Sequence, residues 1–109
     1  MKNIAMIGSG GWGVALTLIL NKNGHNVKLW AYSEDEKDLI NNERKCKFLP
    51  QAVIPEGITC SNSFEEVING ADIIVIVTPS GVIRSTLNSI KNIVREDQII
   101  LLASKGIEA

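Results

Sequence analysis

The sequence contains few histidines and cysteines, the residues from which many metal sites and all disulfide frameworks are built. Its 109 residues include one histidine, His25, and two cysteines, Cys46 and Cys60. A single histidine excludes a metal site built from several histidines, and two cysteines are too few for a disulfide framework. Neither cysteine has a histidine partner at the spacing of a nucleophile, so both are interpreted as inert thiols. A reducing, cytoplasmic location is expected.

The chain also lacks an excess of charge of either sign. The 11 lysines and arginines nearly balance the 12 aspartates and glutamates, so we expect no nucleic-acid partner and no acidic tail. What the chain does have is apolar residues, at 45% of the total, which excludes a disordered protein. The length suits one domain, 1–109.

Residues 4–20 form a long run without any charge, which could be read as a signal peptide or a short membrane span. Gly8, Gly10, Gly11 and Gly13 lie near its centre, where they would break the apolar core of a signal peptide. The run is therefore interpreted as part of a folded domain, and no membrane partner is expected.

Short apolar segments alternate with amphipathic ones along the rest of the chain. Gly24 is expected to end the first helix, and His25 is interpreted as a capping residue there. Ser63 and Glu66 have the spacing of a capping box that opens the third helix. Strands are predicted at Asn3–Ile7, Asn26–Trp30, 58–60, 73–77 and 98–103. Helices are predicted at 11–23, 34–44, 63 to about 70, and 81–93.

This alternation predicts a Rossmann-type α/β fold, a doubly wound parallel sheet with helices on both faces. Right-handed crossovers give the strand order 3-2-1-4-5. Residues 73–77 are all β-branched, so the fourth strand is expected in the middle of the sheet, and the fifth strand is also expected to be buried. Ligands are expected at the carboxyl ends of the first and fourth strands.

Residues 8–13, Gly-Ser-Gly-Gly-Trp-Gly, match the pattern G-x-G-x-x-G in the context that this pattern requires, between a strand and a helix. Gly8 would permit the tight turn, Gly10 would let the backbone approach a pyrophosphate, and Gly13 would let the helix pack closely on the strand. The helix N-terminus would offer N–H groups to the phosphates. The motif predicts dinucleotide binding, the alternative being a glycine-rich turn without a ligand.

The segment after the second strand leaves the choice between NAD and NADP open. It carries neither the acid that holds a ribose 2′-hydroxyl nor the arginine that suits a 2′-phosphate directly at the strand end. Tyr32 could lie against the adenine or the ribose. Glu34 has nearly the spacing of the ribose acid, but it could equally be an acid in the first turn of a helix. A neutral site could accept both cofactors.

Other candidates lie near the same rim of the sheet. Thr78 and Pro79 follow the fourth strand and are expected to line the nicotinamide ribose, unless they only form a turn. Lys105 follows the fifth strand and either reaches the cleft, where it could bind a phosphate or carbonyl oxygen, or is a solvated surface group. Trp12 is a core aromatic or a lid, and Phe48 packs in the core or borders the adenosine side.

Taken together, these segments resemble the N-terminal domain of the NAD(P)-dependent glycerol-3-phosphate dehydrogenase family, from residue 2 to the end. That family reversibly reduces dihydroxyacetone phosphate to sn-glycerol 3-phosphate for phospholipid synthesis. The resemblance rests on the glycine motif, on Leu-Trp at 29–30, Phe-Leu-Pro at 48–50, Ile-Pro at 54–55, Ala-Asp-Ile-Ile at 71–74, Thr-Pro-Ser at 78–80, Arg84 and Ser-Lys-Gly-Ile-Glu at 104–108.

The resemblance implies roles for particular residues. Gly11 and Trp12 would contact the cofactor phosphates, Tyr32 the adenosine end, and Phe48 would lie near the cofactor, while Lys105 would meet both cofactor and substrate. Tyr32 departs from the His or Arg of many bacterial members, which puts a preference for NADP in doubt. Gly11 stands where serine is frequent, so one side-chain contact to phosphate is expected to be lost.

The family places its proton-donating lysine and substrate pocket in a helical C-terminal domain, which is absent here. The chain is therefore expected to bind cofactor without turnover, to be part of a longer enzyme and to leave an apolar sheet edge uncovered, so that it self-associates, with a homodimer as one form. The alternatives are a ketopantoate- or 6-phosphogluconate-type reductase, which Leu-Trp and Lys-Gly-Ile-Glu fit poorly, and a nucleotide-sensing module without catalysis.

Overall fold

A computed structural model describes residues 2–78 and 80–103, so Pro79 and Lys105 lie outside the described residues. Strands and helices alternate as expected, with a single π-helical turn after the second helix and a 3-10 turn before the fourth. The elements are β1 (Asn3–Ile7), α1 (Gly11–Lys22), β2 (Asn26–Trp30), α2 (Glu34–Asp38), the π turn (Leu39–Glu43), β3 (Thr59–Ser61), α3 (Phe64–Ile68), β4 (Ile73–Ile76), the 3-10 turn (Ser80–Val82), α4 (Ile83–Ile90) and β5 (Ile99–Leu102).

The five strands form one parallel sheet in the order β3-β2-β1-β4-β5, which confirms the predicted fold and order. The last residue of β1, Ile7, is in register with Trp30 of β2 on one side and with Ile76 of β4 on the other. The chain leaves β1 for β2 and returns past it to β4, so the order reverses at β1. In such sheets the crevice for a ligand opens at this reversal, outside the carboxyl ends of the strands.

The core consists of two apolar layers, one on each face of the sheet. Alternate residues of β1 enter different layers: Met6 packs with Val14 and Leu29, whereas Ile7 packs with Ile74 and other apolar side chains of the second layer. Met6 and Ile7 are both fully buried. Because a strand apolar on both faces needs cover on both sides, helices on the two faces fix β1 at the centre of the sheet.

The ends of the first and third helices follow the signals in the sequence. The N–H of Gly24 donates to the carbonyl of Asn21 at 3.0 Å, and that of His25 to Leu20 at 3.1 Å, which is a Schellman ending. The hydroxyl of Ser63 accepts from the N–H of Glu66 at 3.3 Å, as a capping box requires. The carboxylate of Glu66 accepts instead from the hydroxyl of Ser61, so only half of the box forms.

The helix predicted at 34–44 is wrong in its second half. It is a five-residue α-helix followed by the π turn, and Arg44 ends it in the left-handed region with φ 57°. The Arg44 guanidinium then donates to the carbonyls of Pro55, Glu56 and Ile58. These contacts hold residues 44–58 against the sheet. No local pattern in the sequence predicts this arrangement.

The predicted burial of the last strand is also wrong. Ile99 and Leu102 are 57% and 59% exposed, and Ile100 and Leu101 are exposed as well. β5 pairs with β4 and is the edge strand of the sheet. None of the described residues covers its apolar side chains, so they are exposed. Among residues 2–78 and 80–103, the apolar edge expected from the sequence is therefore exposed.

We predict that this edge makes the chain self-associate. Leu101→Lys should lower the association measured by light scattering behind size exclusion, because a charge on an edge strand opposes pairing and apolar contact. Val53→Lys is the matched control, since Val53 is exposed but lies in a loop. A wild-type chain that stays monomeric at all concentrations, or an equal effect of both substitutions, would refute the prediction.

Gln98 lies just before β5 and its side chain is a buried bridge. Its Nε2 donates to the carbonyls of Ile68 and Ala71 at 3.0 and 2.9 Å, and its Oε1 accepts from the N–H of Arg95 at 2.8 Å. Gln98→Ala would leave these buried groups without hydrogen-bond partners, so we predict a loss of about 2–3 kcal/mol in the free energy of unfolding, measured with urea. The same change at exposed Gln51 should cost less than about 0.5 kcal/mol.

Candidate functional site

Two glycines, one in the turn between β1 and α1 and one in the first turn of α1, could not be replaced by another residue without strain. Gly8 has φ +133°, and a Cβ there would come within 2.8 Å of Cγ2 of Val77. A Cβ on Gly13 would overlap the carbonyl oxygen of Gly8 and lie 2.9 Å from the same methyl group. The turn and the close packing of helix on strand predicted for these glycines are thus present.

The N-terminus of α1 has no side-chain cap. Its N-cap is Gly10, and the first helical hydrogen bond runs from the N–H of Val14 to the carbonyl of Gly10 at 2.9 Å. By contrast, Ser33 and Ser63 cap α2 and α3 through their hydroxyls. The first turn of α1 contains no acidic residue, so the positive end of the helix dipole is not neutralised there.

A Cβ added to Gly10 would meet no atom within 4 Å, because this backbone faces open space. That space is a cleft of about 1000 Å³ at the carboxyl ends of β1 and β4, which lies in the size range of ligand pockets. The N–H groups at the start of α1 therefore meet a cavity where an anion can bind without steric obstruction. The residues predicted from the sequence to bind the cofactor, where they fall in the described part of the chain, all line this cleft: Gly8, Gly10, Gly11, Trp12, Gly13, Tyr32 and Phe48.

Aromatic side chains form one wall of the cleft, beyond the end of β2. Trp30 stacks on Phe64 with ring centroids 4.3 Å apart, and Tyr32 meets Trp30 edge-on at 5.8 Å. Tyr32 is 86% exposed, so its ring is available to a ligand. Phe64 was not singled out from the sequence, where it reads only as the start of α3, and it joins the wall because β3 lies beside β2.

Asn62 fixes the segment that carries Tyr32. Its Nδ2 donates to the carbonyls of Ala31 and Ser33 at 2.8 and 3.0 Å, and its own carbonyl accepts from the indole of Trp30 at 2.9 Å. Sequence reasoning missed this residue, because its partners are about thirty positions away in the chain. The contact holds the loop after β2 in one conformation beside the cleft.

The acid nearest the glycine turn is Glu36 and not Glu34. The hydroxyl of Ser9, which is buried, donates to Oε1 of Glu36 at 3.0 Å, and both residues line the cleft. The carboxylate of Glu34 is 78% exposed and lies 3.9 Å from Lys37. Of the two interpretations of Glu34, the structure favours the acid in the first turn of a helix.

Trp12 and Phe48 both border the glycine turn. The indole N–H of Trp12 donates to the carbonyl of Ala103 at 2.6 Å and so connects the start of α1 to the end of β5. Phe48 is half exposed, and its carbonyl oxygen would lie 3.2 Å from a Cβ on Gly11. Both aromatics are therefore at the edge of the cleft rather than in the core, and Gly11 lets residue 48 pack against α1.

Thr78 lines the cleft just after the end of β4. Thr78 is buried, and its hydroxyl has no hydrogen-bond partner among the described residues. Val82 of the 3-10 turn and three hydroxyl residues of α4 also line the cleft and were missed from the sequence, although the hydroxyl groups recur at helical spacing: Ser85, Thr86 and Ser89. A buried hydroxyl without a partner is costly, so Thr78 marks a place where a ligand or water would hydrogen bond.

The two cysteines are buried and unpaired, in agreement with their interpretation as inert thiols. Burial raises the pKa of Cys60 to about 12, and the charge of nearby Glu36 adds to that rise. The thiolate, which is the reactive form, is therefore not populated near neutral pH. Cys46 donates through Sγ to the carbonyl of Ser9 at 3.7 Å, beneath the glycine turn.

Within residues 2–78 and 80–103, no helix has the length and apolar character to cross a membrane. The same residues contain no group of three or more His, Cys, Asp or Glu side chains placed to hold a metal ion.

Comparisons with known proteins point to one family. A family model described as NAD-dependent glycerol-3-phosphate dehydrogenase N-terminus matches residues 3–109. A glycerol-3-phosphate dehydrogenase (NAD(P)+) of Fusobacterium nucleatum is 42% identical over 99% of this chain, and one of Agathobacter rectalis is 38% identical over 99%. The chain spans 32% of the length of each of these curated relatives.

A solved structure gives the same result. The crystal structure of glycerol-3-phosphate dehydrogenase from Coxiella burnetii superposes with a TM-score of 0.90 at 30% identity, over 96% of this chain and 33% of that one.

Proposed function

The chain belongs to the family described as NAD-dependent glycerol-3-phosphate dehydrogenase N-terminus, and we propose that it binds NAD or NADP in the cleft beside the glycine turn. The observation that carries this proposal is the N-terminus of α1, which has no side-chain cap, no acid in its first turn and an N-cap glycine that faces open space. A diphosphate is the ligand that such a helix end accepts best.

The residues present fit the two halves of a dinucleotide. Tyr32 and the loop held by Asn62 lie on the β2 side of the cleft, where dinucleotide-binding sheets of this type bind the adenosine. Thr78 lies on the β4 side, and its buried hydroxyl would hydrogen bond to the nicotinamide ribose or its phosphate. Phe48 and Trp12 border the middle, where they would exclude water from the diphosphate. We propose that Pro79, which follows Thr78 in the chain, also contacts the nicotinamide ribose.

We propose that the chain serves the reversible reduction of dihydroxyacetone phosphate to sn-glycerol 3-phosphate, which feeds glycerophospholipid synthesis. The bound nicotinamide supplies a hydride donor or acceptor. In this proposal Lys105 contacts both cofactor and substrate, as a cation suited to a phosphate or carbonyl oxygen. No residue of this chain is assigned the transfer of the proton, so the chain by itself binds cofactor without turnover.

Titration with NADH and with NADPH, followed by nicotinamide fluorescence, tests the binding proposal. Saturable binding of at least one of them supports it, and failure of both to bind refutes it. An assay of dihydroxyacetone phosphate reduction by the same chain tests the second part. Measurable turnover would contradict the assignment of proton transfer to residues outside this chain.

We also propose a cytoplasmic location and a homodimer as the self-associated form. The two free, buried cysteines support the first, since unpaired thiols persist in reducing compartments. The exposed apolar edge at β5 supports the second.

A further inference from the structure

Glu36 is placed at the cleft by two separate contacts. Ser33 accepts a hydrogen bond from the backbone N–H of Glu36 at 3.2 Å and so fixes the start of α2. The buried hydroxyl of Ser9 then donates to Oε1 of the Glu36 side chain at 3.0 Å. Because Ser9 lies between the first two glycines of the turn, the carboxylate is held beside the site proposed for the diphosphate.

The position of this carboxylate corresponds to the adenosine half of the cleft. Glu36 lines the cleft together with Tyr32 from the β2 side and Ser9 from the β1 turn. In dinucleotide-binding sheets the adenosine ribose lies between these two segments, and a carboxylate there accepts a hydrogen bond from the ribose 2′-hydroxyl. Ser9 occupies Oε1, and a carboxylate keeps a second oxygen that can accept from a ligand.

Three positive charges of residues 37–47 contact other groups in the described part of the chain. The guanidinium of Arg44 is bound to the carbonyls of Pro55, Glu56 and Ile58. Lys37 lies 3.9 Å from the Glu34 carboxylate, and Lys47 lies 5.6 Å from the centre of the Phe48 ring. No lysine or arginine of residues 2–78 and 80–103 lines the cleft, whereas Glu36 does.

We propose that Glu36 is the residue that determines cofactor specificity and that it makes the chain select NAD over NADP, with Ser9 as its positioning residue. The carboxylate accepts from the free 2′-hydroxyl of NAD and repels the 2′-phosphate of NADP. This inference rests on the proposed function and deepens it, since the sequence left the preference open.

The ratio of the dissociation constants of NADPH and NADH, measured by nicotinamide fluorescence, tests the proposal. For the wild type we expect NADPH to bind at least about tenfold more weakly than NADH. Glu36→Gln keeps the shape and removes the charge, so it should reduce the ratio about fivefold or more, mainly by tightening NADPH. Glu34→Gln is the matched control, because it removes the same charge from the same helix and should leave the ratio unchanged.

Two further measurements protect the test against a variant that folds poorly. Wild-type protein saturated with NADH should release it to 5′-AMP at about tenfold lower concentration than to adenosine 2′,5′-bisphosphate. Ser9→Ala should also lower the NADPH to NADH ratio, which a change in overall stability would not do. A wild type that prefers NADPH, or a ratio that Glu36→Gln does not change while NADH still binds, would overturn this inference and leave the proposed function standing. Failure of both cofactors to bind would overturn both.

Discussion

Replacing Gly10 with aspartate is expected to stabilise the fold and to abolish dinucleotide binding. Gly10 has φ −71° and ψ 179°, which any residue adopts, and a side chain there would meet no atom within 4 Å. Aspartate is a preferred N-cap and complements the helix dipole, so the free energy of unfolding should rise by about 0.5–1 kcal/mol. The same carboxylate would occupy the place proposed for the phosphates, so NADH affinity should fall at least about 100-fold.

Urea unfolding and NADH titration of the same preparation measure the two opposite effects. Gly57→Asp is the matched control, because Gly57 is also unobstructed but lies in a loop away from the cleft. It should leave NADH affinity within about twofold of the wild type. If Gly10→Asp bound NADH as tightly as the wild type does, the start of α1 could not be the phosphate site.

Replacing Gly13 with alanine is expected to damage stability and binding together. Its Cβ would overlap the carbonyl oxygen of Gly8 and approach Cγ2 of Val77 to 2.9 Å. The backbone of Gly8 on one side and the side chain of Val77, just after β4, on the other leave no room for this Cβ, so we expect a loss of about 2 kcal/mol in unfolding free energy, despite the higher helix propensity of alanine. Displacement of α1 from the turn should also lower NADH affinity by about tenfold or more.

Gly57→Ala serves as the control for this second substitution. Since a Cβ there meets nothing within 4 Å, it should be neutral or slightly stabilising in urea unfolding. Equal stability of Gly13→Ala and the wild type would contradict the close packing of helix on strand that defines the turn.

The first part of the fold was predictable because its signals are local. The bounds of β1 and β2 are as predicted, and α1 begins at Gly11 as expected and ends one residue early, at Lys22. Glycines at fixed offsets and a Schellman ending act within a few residues, so the sequence displays them directly. The fourth strand was equally clear from its run of β-branched residues, whose side chains enter the two buried layers.

The features that were missed depend on distant partners. The π turn and the loop after it follow from the contacts of Arg44 with carbonyls more than ten residues away. The burial of β5 was predicted wrongly, because an apolar run in the sequence does not show whether another element covers that strand. In the site, Glu36 was overlooked in favour of Glu34 because spacing along the chain cannot show which acid meets Ser9.

The central claim, that the start of α1 holds the diphosphate of a dinucleotide, is tested most directly by amide chemical shifts. A titration of ¹⁵N-labelled chain with NADH would be followed at Gly10, Gly11, Trp12 and Gly13, and at Asn69 and Gly70, which line a smaller cavity at the amino ends of the strands. The predicted result is saturable shifts of the α1 amides and none at the other cavity. Unchanged α1 amides in the presence of bound NADH would contradict the account.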